Sequence, residues 1–385
     1  MSKRKVCVII TTRGNYAKMK SVIRHVQEAE DLELQLIVGG GAILPKYGNI
    51  MASPEMRDLR VDRVIHFLVE GENPVAMAKS AGLAVTEFST AFENLRPDVV
   101  LVIADRFECL AIAMAASYMN VPLAHVEGGE VSGSIDESVR HAISKLSHLH
   151  FPATQEAADR LVRMGEDPAT VFPVGCTSLD VIAALDLGDL RGVTASQETG
   201  GVGARVDLSK PYLVVIQHPV TTEYASNLAH VQETIEAVEA LEMPTVWVWP
   251  NMDAGSDGIS KGLRVYRETR HPQRVHFFKS LTIEHYAPLL RNAACILGNS
   301  SSGIRESAFL GTPCVNIGSR QAGRERARNV VDVGYDRREI AAAVRGQLAH
   351  GRFPADHVYG DGKAGGRIVE VLRTFRFNLQ KQIAY

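Results

Sequence analysis

VVLVIAD at 99–105 and PLAHVEGG at 122–129 are two short apolar runs, each ending abruptly in small and acidic residues. Neither alternates apolar with polar positions, so each fits a strand buried on both faces, which is how the strands of a parallel sheet read. The same form appears upstream in VCVII at 6–10 and LQLIVGG at 34–40, with longer amphipathic stretches between the runs. Within residues 16–28, Met19, Val22, Ile23 and Val26 share one helical face; after Asp136, Val139, Ala142, Ile143 and Leu146 do the same. Strands alternating with helices make βαβ units, so an α/β fold with a doubly wound parallel sheet follows.

Beyond Gly175 the rhythm weakens. Residues 186–207, DLGDLRGVTASQETGGVGARVD, hold almost no large apolar side chains and are read as the domain boundary. The pattern resumes with YLVVIQH at 212–218, PTVWVWPN at 244–251, RVHFF at 274–278, ACILGNS at 294–300 and PCVNIG at 313–318. These runs predict a second α/β domain. Ile368, Val369, Leu372 and Phe375 then recur at helical spacing. The expected organisation is an N-terminal domain over 1–185, a C-terminal domain over 208–365, and a closing helix over 366–385 with the N-terminal domain as its candidate packing surface.

The length of 385 residues exceeds a usual single domain, in keeping with two. Lys and Arg total 42 against 44 Asp and Glu, a net charge of -2, so no global field favours nucleic acid or an anionic membrane. In MSKRKVCVII the apolar run meets Thr11, Thr12 and Arg13 too early for a signal peptide or a membrane span, and a cytoplasmic setting is expected. The five cysteines (Cys7, Cys109, Cys176, Cys295 and Cys314) are scattered without metal-ligand spacing and read as reduced core residues.

Two tandem α/β domains suggest a ligand beyond the carboxyl ends of their strands, and each strand runs into a polar cluster there. Thr11-Thr12-Arg13-Gly14-Asn15-Tyr16 fits a helix-opening turn that offers an anion its N–H groups and the Arg13 cation. It equally fits an ordinary βα loop with a solvated arginine. Gly298-Asn299-Ser300-Ser301-Ser302-Gly303-Ile304-Arg305-Glu306 delivers three hydroxyls to a helix start, where a diphosphate can be held. Glu306, expected about one turn into that helix, can accept both ribose hydroxyls. Neither a GK[ST] phosphate loop nor a GxGxxG turn is present.

Asp105, Arg106, Glu108, Glu127, Glu130, Asp136, Glu137, Arg140 and His141 follow two successive strands. Carboxylates so close raise one another's pKa values unless a cation intervenes, an arrangement suited to proton transfer. Asp136 also fits an N-cap, with Arg140 and His141 on a solvated helix face. Gln217-His218-Pro219 and Pro250-Asn251-Met252-Asp253 end two strands of the second domain, where His218 is a plausible phosphate contact. His141, His148 and His150 share no helical face, so no zinc site is expected, nor any cofactor.

HVEGGEVSGSIDESVRHAISKLSHLHF at 125–151, QHPVTTE at 217–223, PNMDAGS at 250–256, GNSSSGIRE at 298–306 and NIGSRQAGRE at 316–325 together closely resemble the hydrolysing UDP-N-acetylglucosamine 2-epimerases. The likeness includes the epimerase half of the bifunctional epimerase/kinase of sialic acid synthesis, and it runs from TTRGNY to YGDGKA at 359–364. The resemblance implies two Rossmann-like domains of the GT-B type with the active site in the interdomain cleft, and a homodimer or homotetramer. It implies that Ser300 and Ser301 hold the diphosphate, that Glu306 takes the ribose, and that Arg13, His218 and Arg320 neutralise phosphate. Asn251 matches a nucleotide-site position, and the uracil is expected against the backbone from Lys279 to Leu281. Asp105, Glu127 and Asp136 match the acidic residues of the sugar site, with Arg106 beside them.

The implied reaction converts UDP-N-acetylglucosamine and water to N-acetylmannosamine and UDP through a 2-acetamidoglucal. Three enzymatic or binding alternatives keep the fold: a non-hydrolysing epimerase, a hydrolysing enzyme for a 2,4-diacetamido-trideoxy hexose, and a true glycosyltransferase. A non-catalytic UDP-sugar sensor is the fourth. HVEGGEVSG stands where non-hydrolysing relatives have HVEAGLRT, which favours hydrolysis. Ala104 stands where many relatives have glycine, and Gly14-Asn15 replaces the commoner Ala-Asp or Ala-Glu.

Overall fold

The computed structural model describes residues 3–47, 49–53, 56–71, 73–133, 135–250 and 255–384. Its chain divides into two units. The first takes the segment up to Glu130, Ile135–Ala183 and the segment from Gly360 onward; the second takes a short segment beginning at Val131 and Ala184–Tyr359.

The first unit runs β1 (Arg4–Ile10), α1 (Arg13–Glu28), β2 (Leu32–Gly39), β3 (Arg63–Ile65), α2 (Pro74–Leu95), β4 (Val99–Ile103), α3 (Phe107–Tyr118), β5 (Leu123–Val126), α4 (Asp136–Leu146), β6 (Leu149–Phe151), α5 (Gln155–Arg163) and α6 (Ser178–Ala183). The strands are parallel in the order β3-β2-β1-β4-β5-β6. Side chains alternate across β1: Val6, Val8 and Ile10 pack with Met19, Val22 and Val26 of α1, whereas Cys7 and Ile9 pack with Phe88 and Phe92 of α2 and Ile112 of α3. Both faces are therefore apolar, as the unbroken run VCVII requires.

The second unit runs α7 (Arg191–Thr199), β7 (Gly201–Gly203), β8 (Leu213–Ile216), α8 (Asn227–Leu241), β9 (Thr245–Val248), α9 (Ser256–Arg270), β10 (Val275–Phe278), α10 (Ile283–Asn292), β11 (Cys295–Gly298), α11 (Glu306–Leu310), β12 (Cys314–Ile317), β13 (Val330–Val333) and α12 (Arg337–His350). Its order is β13-β12-β11-β8-β9-β10-β7, parallel except for β7 at the edge, which pairs antiparallel with β10. Trp247 of β9 and Phe277 of β10 are buried in its core. α13 (Ala364–Thr374) belongs to the first unit. There Ile368, Val369 and Leu372 join the cluster of α1, and the Ala364 and Gly365 N–H groups donate to the Asp180 carboxylate at 2.8 and 2.6 Å.

Residues 186–207 carry α7 and β7. Their buried residues are Val193, Val206 and Gln197, whose amide bonds the Val206 carbonyl and N–H at 3.0 and 2.8 Å, so hydropathy alone carries little signal here. The edge strand β7 aside, both sheets have the same doubly wound order. The winding direction reverses between β1 and β4 in the first unit and between β8 and β11 in the second. Ligands bind such sheets at the carboxyl ends of the strands flanking the reversal.

Candidate active site

In the first unit, β1 is followed by Thr11 and Thr12, and α1 begins at Arg13. Thr12 caps the helix by accepting from the Asn15 N–H at 3.1 Å, and both threonine hydroxyls donate to Asn15 Oδ1 at 2.8 and 2.9 Å. The turn is thus tied by its own side chains, and the positive end of the α1 dipole lies beside a partly exposed Arg13.

On the other side of the winding reversal, β4 is followed by Ala104 and Asp105. Ala104 has φ +69 and Glu127, just past β5, has φ +62, a left-handed conformation that costs a non-glycine residue roughly 1–2 kcal/mol. Their surroundings hold them there. The Ala104 N–H donates to the Val126 carbonyl at 3.0 Å and the Glu127 N–H to the Phe151 carbonyl at 2.9 Å. His125 bridges the two strand ends: its Nε2 lies 2.7 Å from the Ala104 carbonyl and its Nδ1 3.1 Å from the Ser144 hydroxyl. Burial drives His125 down to about 4, so near neutral pH it is the uncharged ring that donates to Ala104.

Three acidic side chains of this cluster, Asp105, Glu108 and Glu127, meet a cation. Lys18 of α1 lies 2.6 Å from Glu127, whose side chain is 1% exposed. Arg140 of α4, fully buried, bonds the Asp105 carboxylate through Nη2 and the Glu130 carbonyl through Nη1 at 2.8 Å. Arg106 pairs with Glu108 at 2.7 Å, and His141 lies 3.8 Å from Glu137. For Asp105, Glu108 and Glu127 the mutual repulsion expected of clustered carboxylates is therefore offset by intervening charges. Arg140 lies in the interior, not on a solvated helix face. Asp136 is the first residue of α4, following the N-cap Ile135, and stands one turn before Arg140 on the same helix side. The strand ends and α4 thus bring Asp105, Glu127 and Asp136 to the carboxyl edge of one sheet.

In the second unit, β11 ends at Gly298, φ +126, where a Cβ would lie 2.0 Å from the Ile216 carbonyl oxygen; only glycine fits. This close approach lets Asn299, 1% exposed, staple β11 to the end of β8. Its Oδ1 accepts the His218 N–H at 2.6 Å, its Nδ2 donates to the His218 carbonyl at 2.9 Å, and its own N–H donates to Ile216 at 3.0 Å. Arg320 and Gln321, after β12, donate to the Asn299 carbonyl at 3.1 and 2.8 Å. His218, Ser300 and Arg320 are thereby gathered around one residue.

The serine turn is tighter than expected. Ser300 caps a 3-10 turn over Ser301–Gly303, and α11 starts only at Glu306. Glu306 is therefore the first residue of its helix, and it is 7% exposed. Tyr286 of α10 hydrogen-bonds Ser302, which links the serine turn to the helix that follows Lys279, Ser280 and the half-buried Leu281. Asn251 lies outside the described residues.

Lys18, Cys176, Asn299 and Tyr286 were not singled out by spacing, because each acts through a partner distant in sequence. Asn299 sat inside the motif GNSSSGIRE, and its place between glycine and the serines was the available signal. Among the described residues no group of three or more His, Cys, Asp or Glu is arranged to hold a metal ion. No described helix is long and apolar enough to cross a membrane.

The family model for UDP-N-acetylglucosamine 2-epimerase matches residues 24–373. The chain belongs to the UDP-N-acetylglucosamine 2-epimerase family. It is 36% identical over 377 residues, 98% of this chain and 97% of the relative, to the hydrolysing UDP-N,N'-diacetylbacillosamine 2-epimerase of Legionella pneumophila. It is 31% identical over 360 residues, 94% of this chain and 91% of the relative, to the UDP-N-acetylglucosamine 2-epimerase of Neisseria meningitidis. Among solved structures, the Neisseria meningitidis UDP-GlcNAc 2-epimerase bound to UDP-GlcNAc matches with a TM-score of 0.78 at 18% identity, covering 96% of this chain and 99% of that one. The fold of this epimerase-family enzyme is the GT-B type, two Rossmann-like domains.

Proposed function

We propose that this enzyme is a hydrolysing 2-epimerase: it takes a UDP-2-acetamido sugar and water to UDP and the free sugar with inverted configuration at C2. The observation that carries the reading is the pair Glu127–Lys18 and Asp105–Arg140 at adjacent strand ends. It is supported by near full-length similarity to an enzyme named as a hydrolysing epimerase. The substrate we favour is a UDP-linked 2,4-diacetamido-trideoxy hexose, because the Legionella pneumophila relative and a Campylobacter jejuni relative, 32% identical over 86% of this chain, are both named for diacetylbacillosamine. UDP-N-acetylglucosamine is the second reading, favoured by the Neisseria meningitidis relative.

In the proposed reaction the nucleotide and the sugar are held by different residues. Ser300 and Ser301, with Arg13, His218 and Arg320, hold the diphosphate. Glu306 takes the ribose hydroxyls, the backbone near Leu281 meets the uracil, and Asn251 completes the nucleotide set. A carboxylate removes the C2 proton; the C–H electron pair becomes the C1–C2 double bond of a 2-acetamidoglucal as the C1–O bond breaks and UDP leaves. Water then adds its oxygen to C1, and a proton returns to C2 from the opposite face. Glu127 and Asp105 are the proton-transfer pair in this scheme and Asp136 assists. Arg106, already paired with Glu108, shapes the edge of the acidic set. Held phosphates make UDP a good leaving group, so departure needs little further acid help.

The test is phosphorus NMR with each UDP-sugar in turn. Free UDP should appear with the diacetamido sugar, and Glu127→Gln should retain UDP binding while losing at least ~100-fold in turnover. Turnover near wild type in that variant removes Glu127 from the reaction; an intact diphosphate linkage with every UDP-sugar rejects hydrolysis.

A further inference from the structure

Glu127 is gripped on both carboxylate oxygens within the first unit. Lys18 takes Oε2 at 2.6 Å, and the thiol of Cys176 donates to Oε1 at 3.1 Å. Cys176 is 1% exposed, and its sulfur also lies 3.1 Å from the hydroxyl of Ser178, the first residue of α6. A thiol is a weak donor and a weak acceptor at once. With the Ser178 hydroxyl donating to the sulfur, the S–H is directed at the carboxylate, giving a chain Ser178 to Cys176 to Glu127. Other buried thiols in the molecule behave differently: Cys109 and Cys295 donate to the main-chain carbonyls of Ile103 and Ile296.

The thiol adds a constraint on Glu127 that Lys18 does not supply. At φ +62 its backbone lies outside the region that ordinarily sets side-chain direction. Lys18 approaches on a flexible four-carbon stem as a point charge, which fixes a distance to one oxygen without by itself setting the carboxylate plane. A donor on the other oxygen fixes that plane. We propose that Cys176 is a positioning residue for Glu127, its neutral thiol orienting the carboxylate for proton transfer at the sugar. This inference rests on the proposed role of Glu127.

The experiment is Raman spectroscopy of the S–H stretching region on the full-length protein, Cys176→Ala, Cys176→Ser and Glu127→Gln, with turnover measured in parallel. The band lost in both cysteine variants should have the lowest frequency of the thiol bands, and it should rise in Glu127→Gln, where a neutral amide replaces the charged acceptor. Having two cysteine variants keeps the assignment secure if one of them folds poorly. Turnover of Cys176→Ala should fall roughly 5- to 20-fold in kcat with KM within about 2-fold, and Cys176→Ser, which restores a donor, should recover most of the loss. A Cys176 band indifferent to Glu127→Gln, no band assignable to Cys176 because it is a thiolate, or wild-type kcat in Cys176→Ala would each overturn the inference. The vibrational shift is read without turnover, so a folded protein inactive on every UDP-sugar counts against the proposed function, and an unshifted band counts against the Cys176 contact.

Discussion

His125 should make the stability of this protein fall steeply on mild acidification. The ring is fully buried between the ends of β4 and β5, and burial lowers it from the ordinary 6.5 to about 4, against the opposing effect of its hydrogen bond to the Ala104 carbonyl. A histidine depressed in the folded state takes up its proton first in the unfolded chain. Its contribution is complete above the ordinary value of 6.5, and it is lost as pH falls towards the folded value of about 4. At 1.36 kcal/mol per unit, that gap corresponds to about 3 kcal/mol. His125→Gln keeps a side-chain N–H that can reach Ala104 but removes the titration. Urea unfolding at about pH 7.5 and about pH 4.5 should show the wild type losing roughly 2–3 kcal/mol more than the variant between the two conditions. Equal losses would refute the reasoning and place the acid sensitivity elsewhere, His150 being the next buried histidine.

Three further outcomes follow from named contacts. Ala104→Gly removes a Cβ from a residue at φ +69 and should raise the unfolding free energy by about 0.5–1 kcal/mol in thermal or urea melts, whereas an unchanged or lower value would contradict the strained conformation. Arg140→Met leaves Asp105 and the Glu130 carbonyl without their buried donor, and should cost about 3 kcal/mol of stability with at least a 10-fold loss of turnover, both read on the purified variant. Asn299→Ala cuts the twin bonds that hold His218 and, on the proposed nucleotide site, should weaken UDP binding about 10-fold in calorimetry.

The alternating architecture was legible because a strand of a parallel sheet has no solvent face. VCVII and VVLVIAD could not sit in a half-exposed strand, and the polar clusters at their ends marked the carboxyl edges where such sheets bind ligands. What sequence did not reveal was pairing. Lys18 lies 109 residues from Glu127, Cys176 lies 49 and Arg140 lies 35 from Asp105, and no local periodicity encodes contacts at those separations. This is why clustered carboxylates suggest mutual repulsion while the folded molecule gives Asp105, Glu108 and Glu127 cations. Glu306 illustrates a finer limit: a 3-10 turn consumed the serines, and the helix began later than spacing suggests. Residues 186–207 show how a buried glutamine can anchor a segment that hydropathy treats as a connector.

The central claim, UDP elimination with proton exchange at C2 followed by hydration, is tested most directly by proton NMR of the sugar product formed in D2O, alongside phosphorus NMR of the nucleotide. The account predicts free UDP together with a free sugar of inverted C2 configuration carrying deuterium at C2. A UDP-sugar that acquires deuterium at C2 while its diphosphate linkage stays intact would contradict hydrolysis, and release of UDP with protium retained at C2 would contradict proton removal by the carboxylate pair.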